Sequence, residues 1–200
     1  NLSIDQYTID SYAYAYIPSQ RDYYEQGDVY FTATTQSELS NAYGGGIAFY
    51  ALLHELGHSL GLKHTFDATL TNPSYYQTYM GQFDQSIYTV MSYNATLNSY
   101  LYDFDPQSYM IFDVYVLQAL YGANPTTNAG DHTWTLSSKE IYQTIYDASG
   151  NDTLNLSQFE QGAQVVLGDV SITGSNISAG YVTSFAKGLD AMPTTIHWLV

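Results

Sequence analysis

Three histidines and a glutamate fall within one short stretch, His54-Glu55-Leu56-Gly57-His58-Ser59-Leu60-Gly61-Leu62-Lys63-His64. On an α-helix, residues four apart differ by about 40° in azimuth and about one turn in height. Imidazoles at 54 and 58 can therefore reach one point. Glu55 lies about 100° round from His54, beside that point rather than on it. Gly61 can take a positive φ without a Cβ clash, so the chain can leave the helix and turn back. That return delivers His64 as a third ligand. Three neutral imidazole nitrogens suit Zn²⁺ and leave a fourth position for water. Zinc acidifies its water and polarises a carbonyl. Glu55 would then act first as general base and then as general acid. The spacing thus points to metal-assisted hydrolysis, with a peptide bond as the expected substrate. A purely structural zinc is the competing reading, and it leaves both the adjacent carboxylate and the open position without a purpose.

Elements must hold these side chains in place. Ile47, Ala48, Ala51, Leu52, Leu56 and Leu60 recur at spacings of three and four, which predicts an amphipathic helix of about four turns ended by Gly61. Upstream, residues 1–9, 11–17 and 28–32 read as strands. Tyr12, Tyr14 and Tyr16 share one face of the second, Ala13, Ala15 and Ile17 the other, and Pro18 stops it. A polar segment then runs to Gly44-Gly45-Gly46, and residues 65–90 read as loop. A second helix is expected over 107–121, with an apolar stripe from Met110, Ile111, Val114, Leu117 and Leu120 and Gly122 as its cap. Beyond Ala123-Asn124-Pro125 the content of Thr, Ser, Asn and Gly rises, and 142–146 and 164–172 alternate like strands. The expected class is α+β, with one domain over 1–122 and a small β-rich domain over 123–200.

Composition closes off several functions. The 200 residues carry 19 Asp+Glu against 4 Lys+Arg, a net charge of −15. Arg21, Lys63, Lys139 and Lys187 cannot build a basic groove, which excludes nucleic acid as a partner. The same charge disfavours an anionic membrane surface, and no apolar run approaches the roughly 18 residues needed to span a bilayer. Cysteine is absent, so disulfides and thiolate metal sites are ruled out. With 45% hydrophobic residues the chain can build a core, and its 22 tyrosines suit half-buried sheets and wet surfaces.

The zinc motif with its third histidine resembles the metzincin zinc peptidases. Tyr88-Thr89-Val90-Met91-Ser92-Tyr93 stands where that clan carries its methionine turn. The resemblance implies that Met91 forms an apolar floor beneath the imidazoles and that Tyr93 hydrogen-bonds the tetrahedral intermediate. The serralysin branch is the most similar. Its likeness runs through Ala13-Tyr14-Ala15-Tyr16-Ile17-Pro18, Gly27-Asp28-Val29-Tyr30, the zinc motif and the methionine turn, then Asp113 and Leu117 through Asn124. It continues in Thr127-Asn128-Ala129-Gly130-Asp131 and in 146–156. This implies a metzincin-like catalytic domain with a mixed sheet, a zinc helix and a C-terminal helix, followed by a calcium-binding domain. Mapped by position, Asp147 and Asp152 would bind Ca²⁺ through carboxylates, and Asn128, Gly130 and Ser149 through carbonyls. His132 replaces a threonine at this junction, and His132 and His197 read as non-ligands. Strand 11–17 matches the family's edge strand, to which an extended polypeptide substrate would add antiparallel. The resemblance further implies a bacterial protein, secreted to the extracellular space and folding on external calcium.

Four departures qualify the likeness. The family's domain begins with a long helix and further strands that have no counterpart here, so the catalytic domain is expected to be N-terminally incomplete, its missing segment supplied separately or as a propeptide. Thr65 stands where serralysins commonly have proline. Only one glycine–aspartate repeat-like segment occurs, so no stacked β-roll is expected. Residues 158–200 carry no recognisable motif. Two other readings compete: a matrixin-like metzincin, which shares the zinc motif and a Leu120-Tyr121-Gly122 helix end, and a non-catalytic binding domain on a peptidase scaffold.

Overall fold

A computed structural model describes residues 2–3, 13–18, 26–40, 42, 44–65, 83–94, 105–136, 142–160, 162–168, 171–173, 176–178, 180–184 and 195–199. Two compact units divide the chain, Asn1–Gln107 and Ser108–Val200. The division falls ahead of the second helix, whereas the sequence places a boundary at that helix's end, after Gly122. The helix packs against the last strand of the second unit, which groups it there.

The first unit is built on three strands. β1 (Leu2–Ser3) runs parallel to β3 (Val29–Phe31), and β2 (Ala13–Ala15) pairs antiparallel with β3 on its other side. The strand order β1-β3-β2 leaves β2 at an end among the described strands. Strand alternation turns Val29 and Phe31 inward, each 2% exposed, and Tyr30 to the opposite face. There Tyr14 stacks on Tyr30 with ring centres 4.7 Å apart, and Tyr16 meets both rings edge-on.

Within the segment whose polar pattern predicts no element lies a short helix, α1 (Ala33–Leu39). Its start is set by Thr32, whose Oγ1 accepts from the Thr35 amide at 3.2 Å. The site-bearing helix is α2 (Ile47–Ser59), packed on β2, β3 and α1. It ends in a Schellman turn: Gly61 donates to the His58 carbonyl and Leu62 to the Gly57 carbonyl, each at 2.9 Å. Gly61 has φ +95°, a left-handed value that glycine adopts without strain. The loop read over 65–90 lies mostly outside the described residues, and of its later part 83–90 is turn and irregular chain.

In the second unit α3 (Ile111–Tyr121) begins four residues later than the apolar pattern suggests. The buried Asp113 carboxylate accepts from the Met110 amide at 2.8 Å, fixing that start and placing an acid in the first turn. Two short strands, β4 (Thr133–Thr135) and β6 (Thr153–Asn155), pair in parallel. A four-stranded sheet follows the order β5 (Tyr142–Tyr146), β11 (Thr195–Leu199), β10 (Gly180–Ser184), β7 (Ala163–Val166). β5 and β11 are parallel, and the other two pairings are antiparallel. β8 (Ser171–Thr173) and β9 (Asn176–Ser178) form a separate antiparallel pair. The strand expected over 164–172 is therefore two: β7 stops at Val166, and Gly168, with no side chain to pack, follows it. Leu136, Ile145, Phe159 and Val182 form the core here, with Trp134, Leu154, Leu156 and Ala163 packed round it. The chain is thus α+β, as expected.

Candidate metal centre

The helix α2 brings His54 and His58 to one face and the Schellman turn returns His64 to meet them. The Nε2 of His64 lies 3.1 Å from that of His54 and 3.0 Å from that of His58. The opposite ring nitrogens are anchored. His54 Nδ1 is 2.6 Å from the Val90 carbonyl oxygen and His58 Nδ1 is 2.9 Å from the Leu62 carbonyl oxygen. Carbonyl oxygens only accept, so both Nδ1 atoms carry the proton and both Nε2 atoms present lone pairs. Burial, with smaller contributions from His58 and His64, lowers the His54 pKa to about 4 despite its bond to Val90, so the ring is neutral near pH 7. Both lone pairs aim at the third imidazole nitrogen, about 3 Å from each, so the three rings offer nitrogen donors to one point. The donor set therefore fits Zn²⁺.

Glu55 is 7% exposed, and among the described residues its buried Oε2 has no hydrogen-bond partner. Burial lifts its carboxyl to about 7. A divalent cation held by the imidazoles would act in the opposite direction. A carboxylate with an uncommitted oxygen, next in sequence to a metal-ligating histidine, is what a proton shuttle needs.

The turn at 88–93 supplies the rest. Met91 is 2% exposed, and the carbonyl just before it, on Val90, is the one that orients His54. Tyr93 is 65% exposed, with its ring centre 4.8 Å from that of His64 and 5.4 Å from that of His54. Sequence reasoning missed Tyr50, which donates from α2 to the Ser92 carbonyl at 2.5 Å and ties the helix to this turn. Its spacing of four before His54 was the available signal.

The junction residues of the second unit also assemble. Asp147 is fully buried; its Oδ2 accepts from Trp134 Nε1 at 3.1 Å and its Oδ1 from the Ser149 amide at 3.3 Å. Asp152 Oδ1 accepts from the His132 amide at 3.0 Å. Gly130 donates to the Ser149 carbonyl at 2.7 Å, and a Cβ at Gly150 would collide with the Gly130 carbonyl. Asn128 sits at φ +51° and donates through its side chain to the Tyr146 carbonyl at 2.7 Å. His132, expected to be a bystander, is among them: its Nδ1 is 2.6 Å from the Gly130 oxygen, 3.8 Å from Asp152 and 3.9 Å from Asp147. One ligand atom each from His132, Asp147 and Asp152 lie within 4.8 Å of one another. The carboxylates suit a hard cation, while the imidazole already holds the carbonyl that such a cation would need. The side chain of His197 lies outside the described residues.

Comparison with known proteins bears on both units. Residues 11–104 match the model of metallo-peptidase family M12, and residues 112–188 match the peptidase M10 serralysin C-terminal model. A serralysin of Photorhabdus laumondii is 30% identical over 201 residues, covering 90% of this chain and 41% of its own. The chain belongs to the serralysin-like metzincin metallopeptidases. The metallopeptidase AprA of Pseudomonas marginalis is 30% identical over 88% of the chain and 41% of its own length. Serralysin C of Dickeya chrysanthemi is 34% identical over 69% of the chain and 32% of its own. The chain thus spans about two fifths of the first relatives it matches. The C-terminal match extends to residue 188, so the likeness reaches further than the sequence reading took it, and it favours the serralysin branch over a matrixin. No helix among the described residues is long and apolar enough to cross a membrane.

Proposed function

We propose that this serralysin-like chain is a secreted zinc-dependent endopeptidase that cleaves extended polypeptides. The observation that carries the reading is that His64 Nε2 lies within 3.1 Å of both the His54 and the His58 Nε2, on a helix whose Glu55 has a buried Oε2 with no hydrogen-bond partner among the described residues. His54, His58 and His64 would hold the ion, which when bound supplies an acidified water and a polarised carbonyl. Glu55 takes the proton of the attacking water and delivers it to the departing amine. Tyr93 would donate a hydrogen bond from its phenol to the developing oxyanion, a role suited to a ring at the rim of the site. Met91 packs as the apolar base of the centre. The polypeptide would lie antiparallel along β2, the end strand of its sheet among the described residues.

The second unit is the proposed calcium-binding domain. Asp147 and Asp152 would bind through carboxylates, with Asn128, Gly130 and Ser149 contributing carbonyls. Calcium would neutralise carboxylates in a chain of net charge −15 and so favour the compact state outside the cell.

The deciding experiment replaces Glu55 by Ala in the zinc-loaded chain. Zinc content stays at the wild-type level and cleavage of casein is lost. Undiminished cleavage would defeat the mechanism. Intact zinc with no turnover by the wild-type chain would instead favour a binding domain on a peptidase scaffold.

A further inference from the structure

We propose that Asp84 is a positioning residue that couples the third zinc ligand to Tyr93. The inference rests on the metal-centre reading above, but its test does not require turnover.

Asp84 is an acidic residue only 2% exposed. A buried carboxylate is costly unless its oxygens are hydrogen-bonded. Each oxygen here has one donor, and each donor is the immediate neighbour of a site residue. Thr65 Oγ1 donates to Asp84 Oδ1 and directly follows His64. Asn94 Nδ2 donates to Asp84 Oδ2 at 2.7 Å and directly follows Tyr93. The same segment is closed a second time, since the Ser86 amide donates to the Asn94 carbonyl at 3.0 Å and the Asn94 amide to Ser92 Oγ at 3.0 Å.

His54 and His58 take their orientation from α2 and from backbone carbonyls on Val90 and Leu62. His64 lies past the end of the helix, where no helical hydrogen bond fixes the chain. The Thr65–Asp84 bond supplies an anchor there. It also accounts for Thr65 standing where proline is common in the family: a hydroxyl at 65 gives the buried carboxylate its donor. Through Asn94 the same carboxylate sets the chain that carries Tyr93, whose ring packs edge-on against His64. Partners that orient metal ligands typically govern metal affinity by 10–100-fold, so a two-armed carboxylate should influence both the grip on the ion and the placement of the phenol.

The two arms can be cut separately in the full chain. Zinc affinity is read by competition with a chromophoric chelator, kcat and KM on an unfolded casein substrate, and folding by thermal melting. Thr65→Val should weaken zinc by about tenfold or more, and Thr65→Ser should restore it. Asn94→Ala should lower kcat while leaving KM and zinc affinity near wild type. Asp84→Asn presents an amide NH₂ to one of the two donors, so it should show a defect in at least one arm without loss of the fold. A folded Thr65→Val protein with wild-type zinc affinity would overturn the proposal, as would a Thr65→Ser protein as weak as Thr65→Val. A chain that never turns over but whose zinc affinity follows this pattern would sink the peptidase reading and leave Asp84 in its role.

Discussion

Tyr50 on the site helix donates to the carbonyl of Ser92, 42 positions away, at 2.5 Å. With the His54 contact to Val90, this makes two bonds from α2 to the turn that carries Met91 and Tyr93. Tyr50→Phe keeps the ring and removes one of them. The expected cost is about 1 kcal/mol, seen as a lower midpoint in urea, together with a fall in kcat as Tyr93 loosens. A variant as stable and as active as the parent would show that the helix and the turn hold together without this bond.

Removing the metal should cost the first unit more than any single hydrogen bond. Two imidazole lone pairs, on His54 and His58, point at His64 Nε2 from 3.0–3.1 Å, a nitrogen cluster that a shared cation would hold together. An ion that binds only the folded chain adds about 2.7 kcal/mol when free zinc is a hundred times its Kd. Chelator-treated protein should therefore melt at a lower temperature, and zinc should restore the melt. His64→Ala should blunt that restoration, since two ligands remain. A melting temperature indifferent to zinc in the parent chain would mean the three rings do not share an ion.

How much of this was legible follows from distance along the chain. The zinc helix and the Gly61 turn could be read because helix geometry and a φ of +95° are local demands written in residue type. The orienting carbonyls of Val90 and Leu62 could not, because every residue has one and nothing in sequence says where it points. Asp84, Thr65 and Asn94 were scattered polar residues until the fold closed them on one another. α1 escaped because its cap, Thr32, sits in a run with no apolar period, so tertiary packing rather than pattern makes the helix. His132 was set aside because a lone histidine carries no spacing signal, while the fold brings Asp147 and Asp152 to it.

Gly61 supports a direct test of the turn. Alanine at φ +95° would occupy left-handed space at a cost of about 1–2 kcal/mol, and the helix would relieve the strain by unwinding its end. His64 would move with it. Gly61→Ala should lower both the melting temperature and zinc affinity. Native values for both would show that His64 reaches the ion without the glycine turn.

Tyr109 sets an alkaline limit on the second unit. Its hydroxyl is buried with no partner among the described residues, and burial, then the Asp113 carboxylate, push the phenol well above its usual range. The folded state thus holds this proton more tightly than the unfolded chain, whose tyrosine titrates near pH 10. The resulting contribution to stability is intact below about pH 10 and is lost as pH rises beyond it. Tyr109→Phe removes the titration and an unsatisfied hydroxyl, so it should be neutral or slightly stabilising at pH 8 and should lose less stability by pH 11. Urea midpoints across that range decide it, and equal alkaline losses in the two proteins would clear Tyr109 of the effect.

If the second unit binds calcium as proposed, His132 should set how well it does so. Its Nδ1–H donates to the Gly130 carbonyl at 2.6 Å, and its amide occupies Asp152 Oδ1 at 3.0 Å. A hard cation needs the Gly130 oxygen and both carboxylates free to turn toward it. Binding must therefore break a hydrogen bond worth about 1 kcal/mol and swing the imidazole aside. Threonine lacks that ring, and His132→Thr should tighten calcium by roughly fivefold to tenfold in titration calorimetry. Asp147→Asn should abolish the binding heat in either background, because it removes one of the two carboxylates of the set. Should His132→Thr bind calcium no better than the parent, the imidazole is not an obstacle and the ion sits elsewhere.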